Sequence, residues 1–385
     1  MRVAGLFAGI GGIELGLHHA GWEAQLLCEV DPFAKRVLQA HFGDVPLADD
    51  VRELRRLPAV DLVAAGFPCQ DLSQAGLTAG IDGSRSGLVG EVFRLVATRR
   101  RSPTWVLIEN VSFMLHLDHG RAMARLTDAL CDLGFSWAYR VVDTRAFGLP
   151  QRRQRVILLA SRTEDPRPVI LAQDAASNEV TDPSGRACGF YWTEGLRGLG
   201  WAVDAVPTLK GGSTVGIPSP PGIWMLDGSI RTPDVRDAER LQGFPADWTA
   251  PATDDPTSRK GPRWKLVGNA VSVPVAEWIG RRLLEAEGSF VGFVGEASPL
   301  EPGAPWPKAA WGKDGKAHAS SVGLWPEQHR YRHLAEFLRF PTTPLSRRAL
   351  LGFLSRVERS SLRFPDGLVE AAHRAADEPM APRRR

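Results

Sequence analysis

The first 160 residues alternate short apolar runs with stretches of helical hydrophobic spacing. This alternation is typical of a parallel sheet with helices on both faces, because each crossover between parallel strands needs a connecting element such as a helix. The predicted strands are Val3–Phe7, Ala24–Glu29, Leu62–Gly66, Val106–Glu109, Trp137–Asp143 and Arg155–Ala160. The helical stretches between them include Ile13–Ala20, Pro32–Phe42 and Arg121–Leu133. We therefore expect a doubly wound, mostly parallel, Rossmann-like α/β sheet that binds ligands beyond the carboxyl ends of its strands.

The amino-acid composition and the hydrophobic spacing of the sequence change near Thr163. Residues 163–230 are rich in Pro, Gly, Ser and Thr and show no sustained helical period, which predicts a small, loop-rich β domain. Helical spacing returns at Val235–Leu241, at Val275–Glu287 and over most of 327–376. The expected parts are an α/β domain at 1–162, a small domain at 163–262, a segment at 263–287 that returns to the α/β domain, and a basic, mainly helical C-terminal extension at 288–385.

Composition places the chain among ordinary soluble globular proteins. Of its 385 residues, 43% are hydrophobic and 24% are charged. No uncharged apolar stretch reaches the roughly 18 residues of a membrane span, and the N-terminus lacks a secretory pattern. The four cysteines do not have the spacing of a metal site or of a disulfide framework. We expect a reduced, cytoplasmic protein with no bound metal and no membrane partner.

Charge is distributed unevenly along the chain. The formal net charge is +3, but residues 301–385 contain 15 Lys and Arg against 9 Asp and Glu. A basic segment of this kind favours a polyanionic partner such as a nucleic acid. It is also compatible with an ordinary solvated surface, and both interpretations stay open at this point.

The apolar run Val60–Ala65 leads directly into Gly66-Phe67-Pro68-Cys69-Gln70. The Cys69 thiol is therefore expected in a tight turn where a buried strand ends. Proline restricts the residue before it to extended geometry, which helps to hold the turn in place. A cysteine in this position is a candidate nucleophile, and the alternative is a thiol that only fills space in the core.

A glycine-rich loop, Phe7-Ala8-Gly9-Ile10-Gly11-Gly12, joins the first strand to the first helix. Glycines let the backbone approach a ligand closely, and a helix N-terminus favours a negative group. Glu29 ends the second strand, where a carboxylate can accept hydrogen bonds from both hydroxyls of a ribose, and Asp50 could accept a hydrogen bond from an adenine amine. The glycine spacing differs from G-x-G-x-x-G, which disfavours a dinucleotide. The alternative is a tight strand-to-helix turn without a ligand.

Two further sets of polar side chains lie at predicted strand ends. Glu109 ends an apolar strand and is suited to protonating a ring nitrogen, unless it is simply a surface carboxylate. Gln151-Arg152-Arg153-Gln154-Arg155 lies at the start of the last predicted strand, and strand alternation predicts that Arg153 and Arg155 share one face. Two guanidinium groups there suit a phosphate or a ring carbonyl, and the alternative is again a solvated surface.

These segments, in this order and spacing, closely resemble the cytosine-C5 DNA methyltransferases, which have the class I methyltransferase fold. The matching segments are Phe7–Gly12, Glu29, Asp50, Gly66–Gln70, Arg85–Leu88, Glu109–Val111, Gln151–Arg155, Arg240–Pro245 and Gly268–Val271. They span roughly residues 3–285, about three quarters of the chain. The resemblance implies S-adenosylmethionine as methyl donor, S-adenosylhomocysteine as product and cytosine in double-stranded DNA as substrate.

The resemblance also implies roles for individual residues. The cofactor pocket would be lined by Phe7, Gly9, Gly11, Glu29, Asp50, Val51, Pro68, Leu88, Asn269 and Val271. The catalytic set would be Cys69, Glu109, Arg153 and Arg155. The DNA contacts would include Gln70, Ser73, Thr208 and Lys210. Residues 1–162 would then form the catalytic and cofactor-binding domain, and residues 163–262 the target-recognition domain.

The chemistry of cytosine explains why these residue types are needed. Carbon 5 is too weak a nucleophile to accept a methyl group unaided, and addition of the Cys69 thiolate to carbon 6 makes carbon 5 electron-rich. By the resemblance, Glu109 would stabilise protonated N3, Arg155 would bind the O2 carbonyl, and Arg153 would support either Cys69 or the loop that follows it. The reacting atoms are out of reach inside a stacked duplex, so we expect the cytosine to be flipped out of the helix.

Two other functions stay open on the same fold. One is a tRNA cytosine-C5 methyltransferase, although the RNA-methylating branch has a different residue around the Pro-Cys pair and a Cys-Phe-Thr signature that this sequence lacks. The other is a DNA-binding relative without catalysis, which the intact catalytic set disfavours. We expect a monomer in a bacterial or phage-infected cell, associated with the nucleoid, acting on a short DNA sequence, alone or beside a cognate restriction endonuclease. The C-terminal extension would either enlarge the DNA footprint, or stabilise the protein or bind a partner.

Overall fold

A computed structural model of the chain describes residues 1–67, 87–97, 103–212, 218–253, 261–285, 297–301 and 303–377. The chain divides into two compact units, each built from several segments. Unit 1 consists of Met1–Phe147, Gln154–Ser177 and Val271–His329, and unit 2 consists of Gly148–Arg153, Asn178–Ala270 and Arg330–Arg385. Every helix within the described ranges is too short or too polar to cross a lipid bilayer.

The strands and helices alternate regularly only in the first half of the chain. The strands are β1 Arg2–Leu6, β2 Glu23–Cys28, β3 Leu47–Ala48, β4 Leu62–Ala65, β5 Trp105–Val111, β6 Ser136–Asp143, β7 Gln151–Arg152, β8 Gln154–Ser161, β9 Cys188–Phe190, β10 Trp201–Val203, β11 Val206–Pro207, β12 Gly222–Trp224, β13 Ile230–Thr232, β14 Ala297–Pro299, β15 Ala309–Lys313, β16 Lys316–Ser320 and β17 Thr343–Pro344. The α-helices are α1 Gly12–His19, α2 Pro32–His41, α3 Leu88–Ala97, α4 Arg121–Asp132, α5 Arg167–Ile170, α6 Val235–Leu241, α7 Gly261–Asn269, α8 Val273–Glu285, α9 Leu334–Phe337, α10 Arg347–Val357 and α11 Leu368–Asp377.

Unit 1 is built on a ten-stranded sheet with the order β14-β16-β15-β6-β8-β5-β4-β1-β2-β3. The strands from β3 to β5 run parallel to one another. From β5 to β14 each described neighbour is antiparallel. The six predicted strands and three predicted helices of this region all form, with ends that differ by at most two residues, so the predicted α/β fold class is confirmed.

Both faces of this sheet are covered, which is why its central strands are apolar throughout. All four residues of β4 are buried, and alternate residues point to opposite faces. Val63 and Ala65 pack in the cluster that includes α3 and α4, whereas Leu62 and Ala64 pack in the cluster that includes α1 and α8. A continuous apolar run therefore becomes the centre of two hydrophobic layers.

The segment from 297 to 320 adds three antiparallel strands to the same sheet, with β14 beside β16. This differs from the mainly helical extension that the sequence predicted. β15 pairs antiparallel with β6, and β16 folds back on β15. Asp314 and Gly315 connect them with φ values of 51° and 75°, as a two-residue hairpin turn requires. An Asp-Gly pair between two short apolar runs is a sequence signal for a hairpin. The prediction missed this hairpin because it applied the helical spacing of residues 327–376 to the whole extension.

Unit 2 contains a five-stranded sheet with the order β10-β9-β12-β13-β17 and a short parallel ladder between β7 and β11. The C-terminal segment supplies part of its interior. Leu334 and Phe337 of α9 lie in the cluster around Leu209, and the Phe353 ring of α10 lies 4.7 Å from the Phe190 ring. The region predicted as one extension therefore belongs to unit 1 up to His329 and to unit 2 from Arg330 onward.

Candidate active site

The glycine-rich loop between β1 and α1 has an unusual backbone. Phe7, Gly9 and Gly11 all have positive φ, at 57°, 56° and 81°. A bulky residue rarely adopts this conformation, and such strain concentrates at functional sites. Gly11 must remain glycine for a second reason, because a Cβ there would lie 2.5 Å from the Phe42 ring.

Glu29 fixes this loop from the end of β2. Its half-buried carboxylate accepts the Gly9 N–H at 2.7 Å and the Asp31 N–H at 2.8 Å. A Cβ added to Gly9 would meet no heavy atom within 4 Å, so the loop backbone borders open space at this point. The predicted cofactor residues Phe7, Gly9, Gly11 and Glu29 thus form one connected structure at the carboxyl edge of the parallel strands.

Asp50 follows β3 on the same edge of the sheet. Its carboxylate is bound by the Arg52 guanidinium, with a shortest contact of 2.5 Å, and hydrogen bonds from Arg52 lower its pKa. The Arg52 side chain is exposed, so this pairing is at the surface and easily exchanged. Val51 is buried in the core, and Leu88 at the start of α3 packs against the same cluster.

The strand ends that lead to Cys69 are described up to Phe67. Asn110, in the middle of the Glu109–Val111 segment, donates from Nδ2 to the Phe67 carbonyl oxygen at 3.0 Å. Its Oδ1 accepts the Val111 N–H at 2.9 Å. Asn110 therefore ties the segment before Cys69 to β5, a positioning role that the sequence analysis did not assign, although the residue stands inside a matched motif. The predicted residues Pro68, Cys69, Gln70 and Ser73 lie outside the described residues.

Glu109 and Arg155 form an ion pair at the end of β5. The Arg155 Nε lies 3.0 Å from the Glu109 Oε1, and both side chains are largely buried. Antiparallel pairing places Val111 opposite Arg155, so the two charged side chains are diagonal neighbours on β5 and β8. The Glu109 Oε2 lies 3.7 Å from where a Cβ of Gly66 would be, and Val271 is beside the same point. The predicted base-binding pair thus borders the strand end that continues to Cys69.

The other cysteines are poorly suited to act as nucleophiles. Burial and the neighbouring Glu29 carboxylate raise the pKa of Cys28 to about 12. Burial raises the pKa of Cys188 to about 11. Cys131 lies on α4. Since the thiolate is the reactive form, the raised pKa values disfavour Cys28 and Cys188 as nucleophiles, and the role of Cys69 stays a prediction.

Arg153 belongs to unit 2 and is held differently from Arg155. It lies between β7 and β8, so no strand alternation runs through it, and the sequence argument that it shares a face with Arg155 is not supported. Its guanidinium is buried and donates to the carbonyl oxygens of Leu209 at 3.1 Å, Gly268 at 3.3 Å and Ala270 at 2.6 Å. These contacts make it a cross-link inside unit 2.

The remaining predicted residues also belong to unit 2. The Thr208 hydroxyl donates to the Arg152 carbonyl oxygen at 2.8 Å. The Lys210 ammonium lies 3.3 Å from the Glu194 carboxylate and 4.0 Å from the Tyr191 ring centroid. The exposed Asn269 packs against this segment, since a Cβ at Gly211 would lie 2.1 Å from its Oδ1. These three residues, which are the predicted DNA and cofactor contacts that belong to unit 2, therefore lie in one tightly packed region of that unit.

Comparison with known proteins is consistent along the whole chain. A model of the family described as C-5 cytosine-specific DNA methylase matches residues 1–186 and 204–285. The Type II methyltransferase M2.BsuMI of Bacillus subtilis (strain 168) is 51% identical over 388 residues, with 98% of each chain covered. The Type II methyltransferase M.MspI of Moraxella sp is 28% identical over 316 residues, with 77% of this chain and 72% of that protein covered.

The solved structures support the fold independently. The crystal structure of the S. pombe Dnmt2 methyltransferase matches with a TM-score of 0.53 at 17% identity, covering 75% of this chain and 100% of that one. The family match ends at residue 285, whereas the alignment with M2.BsuMI continues through the C-terminal segment. On the extent of these matches, the chain belongs to the C-5 cytosine-specific DNA methylase family.

Proposed function

We propose that the protein transfers a methyl group from S-adenosylmethionine to carbon 5 of a cytosine that is flipped out of double-stranded DNA, through a covalent adduct with Cys69. The observation that carries this proposal is the buried Glu109–Arg155 pair beside the strand end that leads to Cys69. A paired carboxylate and guanidinium present an acceptor and several donors side by side, which suits the polar edge of a cytosine ring.

Each member of the pair would act on a different ring atom. The Glu109 carboxyl group would hold N3 and the exocyclic amine, and it would stabilise N3 in its protonated form. Arg155 would donate to the O2 carbonyl and, at the same time, keep Glu109 compensated while the base is absent. Both groups would draw electron density from the ring, which makes carbon 6 more open to attack by the Cys69 thiolate.

Loss of the carbon-5 proton completes the reaction. The thiolate adds to carbon 6, carbon 5 takes the methyl group, and removal of the proton from carbon 5 expels the Cys69 sulfur. Asn110 supports this step indirectly, because its bond to the Phe67 carbonyl fixes the backbone two residues before Cys69. Closure of the site would exclude water, which a thiolate nucleophile benefits from.

The residues at the glycine loop fit an adenosyl cofactor. Gly9 borders open space, the Glu29 carboxylate lies at the loop where ribose hydroxyls could be bound, and Asp50 follows the next strand. When bound, S-adenosylmethionine would supply an electrophilic methyl group. The proposed contacts in unit 1, within the described residues, are Phe7, Gly9, Gly11, Glu29, Asp50, Val51, Leu88 and Val271. The roles of Asn269 and Pro68 at the cofactor stay predictions from the sequence.

Unit 2 is proposed to read the DNA sequence. Its irregular connections and short strands offer several loops to a groove, and Thr208 and Lys210 lie on one of them. The relatives M2.BsuMI and M.MspI are Type II methyltransferases, so we propose that the protein acts in restriction-modification, beside an endonuclease of the same specificity. We also propose that it acts as a monomer.

The proposal can be tested by tritiated-methyl transfer from S-adenosylmethionine with the full chain. Duplex DNA, single-stranded DNA and tRNA should be compared, and bisulfite sequencing of DNA from expressing cells would identify the site. We expect transfer to duplex DNA that is lost in Cys69→Ser and kept in Cys131→Ser, a matched change at a cysteine on α4. Transfer to tRNA in preference to DNA would favour the RNA-directed alternative. Unchanged transfer by Cys69→Ser would refute the assigned nucleophile.

A further inference from the structure

A second buried carboxylate lies beneath the glycine-rich loop and takes no part in the proposed reaction. Glu14 is in the first turn of α1 and is only 2% exposed. Its Oε2 has no hydrogen-bond partner within the described part of the chain. No ion pair joins it to a basic side chain among the same residues. A carboxylate that is buried in this way is costly unless something compensates its charge.

The sheet is built to accept this side chain. Gly5 of β1 faces Glu14, and a Cβ at Gly5 would lie 2.0 Å from the Glu14 Oε1 and 2.9 Å from its Cδ. The φ angle of Gly5 is not in the left-handed region, so the backbone alone does not require glycine there. The requirement comes from the carboxylate, which occupies the space of a side chain on the strand that leads into the loop.

The electrostatic surroundings of Glu14 disfavour its charged form unless a positive charge is near. Burial is the largest of the effects that together raise its pKa to about 7; a hydrogen bond from its own backbone N–H acts in the opposite direction, and the neighbouring Glu29 carboxylate contributes to the rise. Two carboxylates therefore share the carboxyl edge of β1 and β2, one at the loop and one below it. A cation bound at this edge would be attracted by both, whereas a neutral ligand would leave the buried one uncompensated.

A purely structural role of Glu14 does not explain why its carboxylate is buried. An acidic residue in the first turn favours the helix dipole, but an exposed carboxylate achieves the same effect without burial. The N-terminal turn of α1 also has no side-chain capping hydrogen bond from Gly11, so Glu14 is not part of a reciprocal cap. Buried ionisable groups that lack a partner and border a ligand site are characteristic of function.

We propose that Glu14 is the counter-charge for the sulfonium of the bound cofactor, and that it strengthens the binding of S-adenosylmethionine relative to that of its neutral thioether product. The inference rests on the proposed function, since it assumes that an adenosyl cofactor binds at this loop. Glu14 acts here as a positioning residue through its field. The preference would favour binding of the donor and release of the product after each turnover.

The test is isothermal titration calorimetry of the full chain, without DNA, against three ligands of matched shape. These are S-adenosylmethionine, the amine analogue sinefungin, which keeps the extra positive charge, and S-adenosylhomocysteine, which lacks it. Glu14→Gln keeps the shape and removes the charge, and Glu14→Met does the same with an apolar side chain if the amide is poorly tolerated. Glu23→Gln, at the exposed start of β2, is the matched control.

We expect both Glu14 variants to bind S-adenosylmethionine and sinefungin about tenfold more weakly, as for one charge acting across several ångströms of protein. Binding of S-adenosylhomocysteine should stay within about twofold, and the control should match the wild type. Equal weakening of all three ligands, or no change in any, would overturn the inference and leave the proposed function intact. If the wild type bound none of the three, the proposed function would fail and the inference with it.

Discussion

Two buried carboxylates of unit 1 lie at the same edge of the sheet, and they differ in whether a basic side chain pairs with them. Glu109 is paired with Arg155 at 3.0 Å, so its charge is compensated inside the protein. Glu14 has no ion-pair partner within the described chain, and Gly5 on the adjacent strand leaves free the space that its carboxylate occupies. On the proposed function, the difference means that the edge at Glu109 is preformed for the base, whereas the edge at the glycine-rich loop is completed by the cofactor.

Removing the charge of Glu109 should lower activity more than any other change considered below. Glu109→Gln keeps the shape but removes the charge that would stabilise protonated N3, and it leaves the Arg155 guanidinium uncompensated. We expect methyl transfer in a single turnover to fall by about 10²–10⁴. Rapid-quench kinetics with saturating DNA and cofactor would measure this, and Glu23→Gln should react at the wild-type rate. A near-normal rate for Glu109→Gln would mean that the pair is structural only.

Filling the space that holds the second carboxylate should destabilise the fold. Gly5→Ala would place a methyl group 2.0 Å from the Glu14 Oε1, so the buried Glu14 side chain would have to leave the position that it occupies. We expect a loss of stability of about 1–3 kcal/mol, measured by urea unfolding. The double variant Gly5→Ala with Glu14→Ala should recover much of that loss. Wild-type stability in Gly5→Ala would show that the contact between strand and carboxylate is not tight.

The pH dependence of stability should distinguish the two carboxylates further. The ordinary pKa of Glu14 is 4.5 and burial raises it to about 7, so the folded protein binds this proton more tightly than the unfolded chain does. Its contribution to stability is fully present below pH 4.5 and is lost as the pH rises through about 7. The free energy of unfolding of Glu14→Gln, relative to that of the wild type, should therefore rise by on the order of 2–3 kcal/mol between pH 5 and pH 8.

Urea unfolding of the wild type and Glu14→Gln across this range gives the difference directly. Taking the difference between the two proteins removes the contribution of every other titrating group that they share. A constant difference across the range would mean that Glu14 titrates normally, and the contrast with Glu109 would then rest on geometry alone.

A smaller effect is expected where a neutral hydrogen bond supports the preformed edge. Asn110→Ala would leave the Phe67 carbonyl oxygen without the Nδ2 donor, at a cost of about 1–2 kcal/mol in stability. Activity should fall as well, because the backbone before Cys69 is less well held. Asn178→Ala, a change in unit 2, serves as the control. If Asn110→Ala lowered stability without altering the rate of methyl transfer, Asn110 would have no positioning role.

Sequence reasoning was most successful where local pattern and tertiary structure agree. The strands of the parallel sheet were predicted because they are uninterrupted apolar runs, and Glu109, which was predicted to end its strand, lies two residues before the end of β5. The predicted roles of Cys69, Pro68, Gln70 and Ser73 stay predictions, as do those of the cofactor and DNA contacts.

The rest depended on contacts between distant segments. Glu14 looks like an ordinary acid in a first helical turn, and only its packing against Gly5 shows that it is buried. Arg153 was grouped with Arg155 by spacing, yet a break between two strands turns it toward backbone carbonyls of unit 2. The Asp314–Gly315 turn was readable from its residue types, but its hairpin joins a strand more than 160 residues earlier.

The most direct test of the account is covalent trapping at the preformed edge. A duplex containing 5-fluorocytosine at the methylation site blocks loss of the carbon-5 substituent, so the enzyme sulfur cannot leave. With S-adenosylmethionine present, the account predicts a stable protein–DNA complex whose peptide mass spectrum places the link on Cys69. A link to Cys28, Cys131 or Cys188, or the absence of any covalent complex on a duplex that is otherwise methylated, would contradict it.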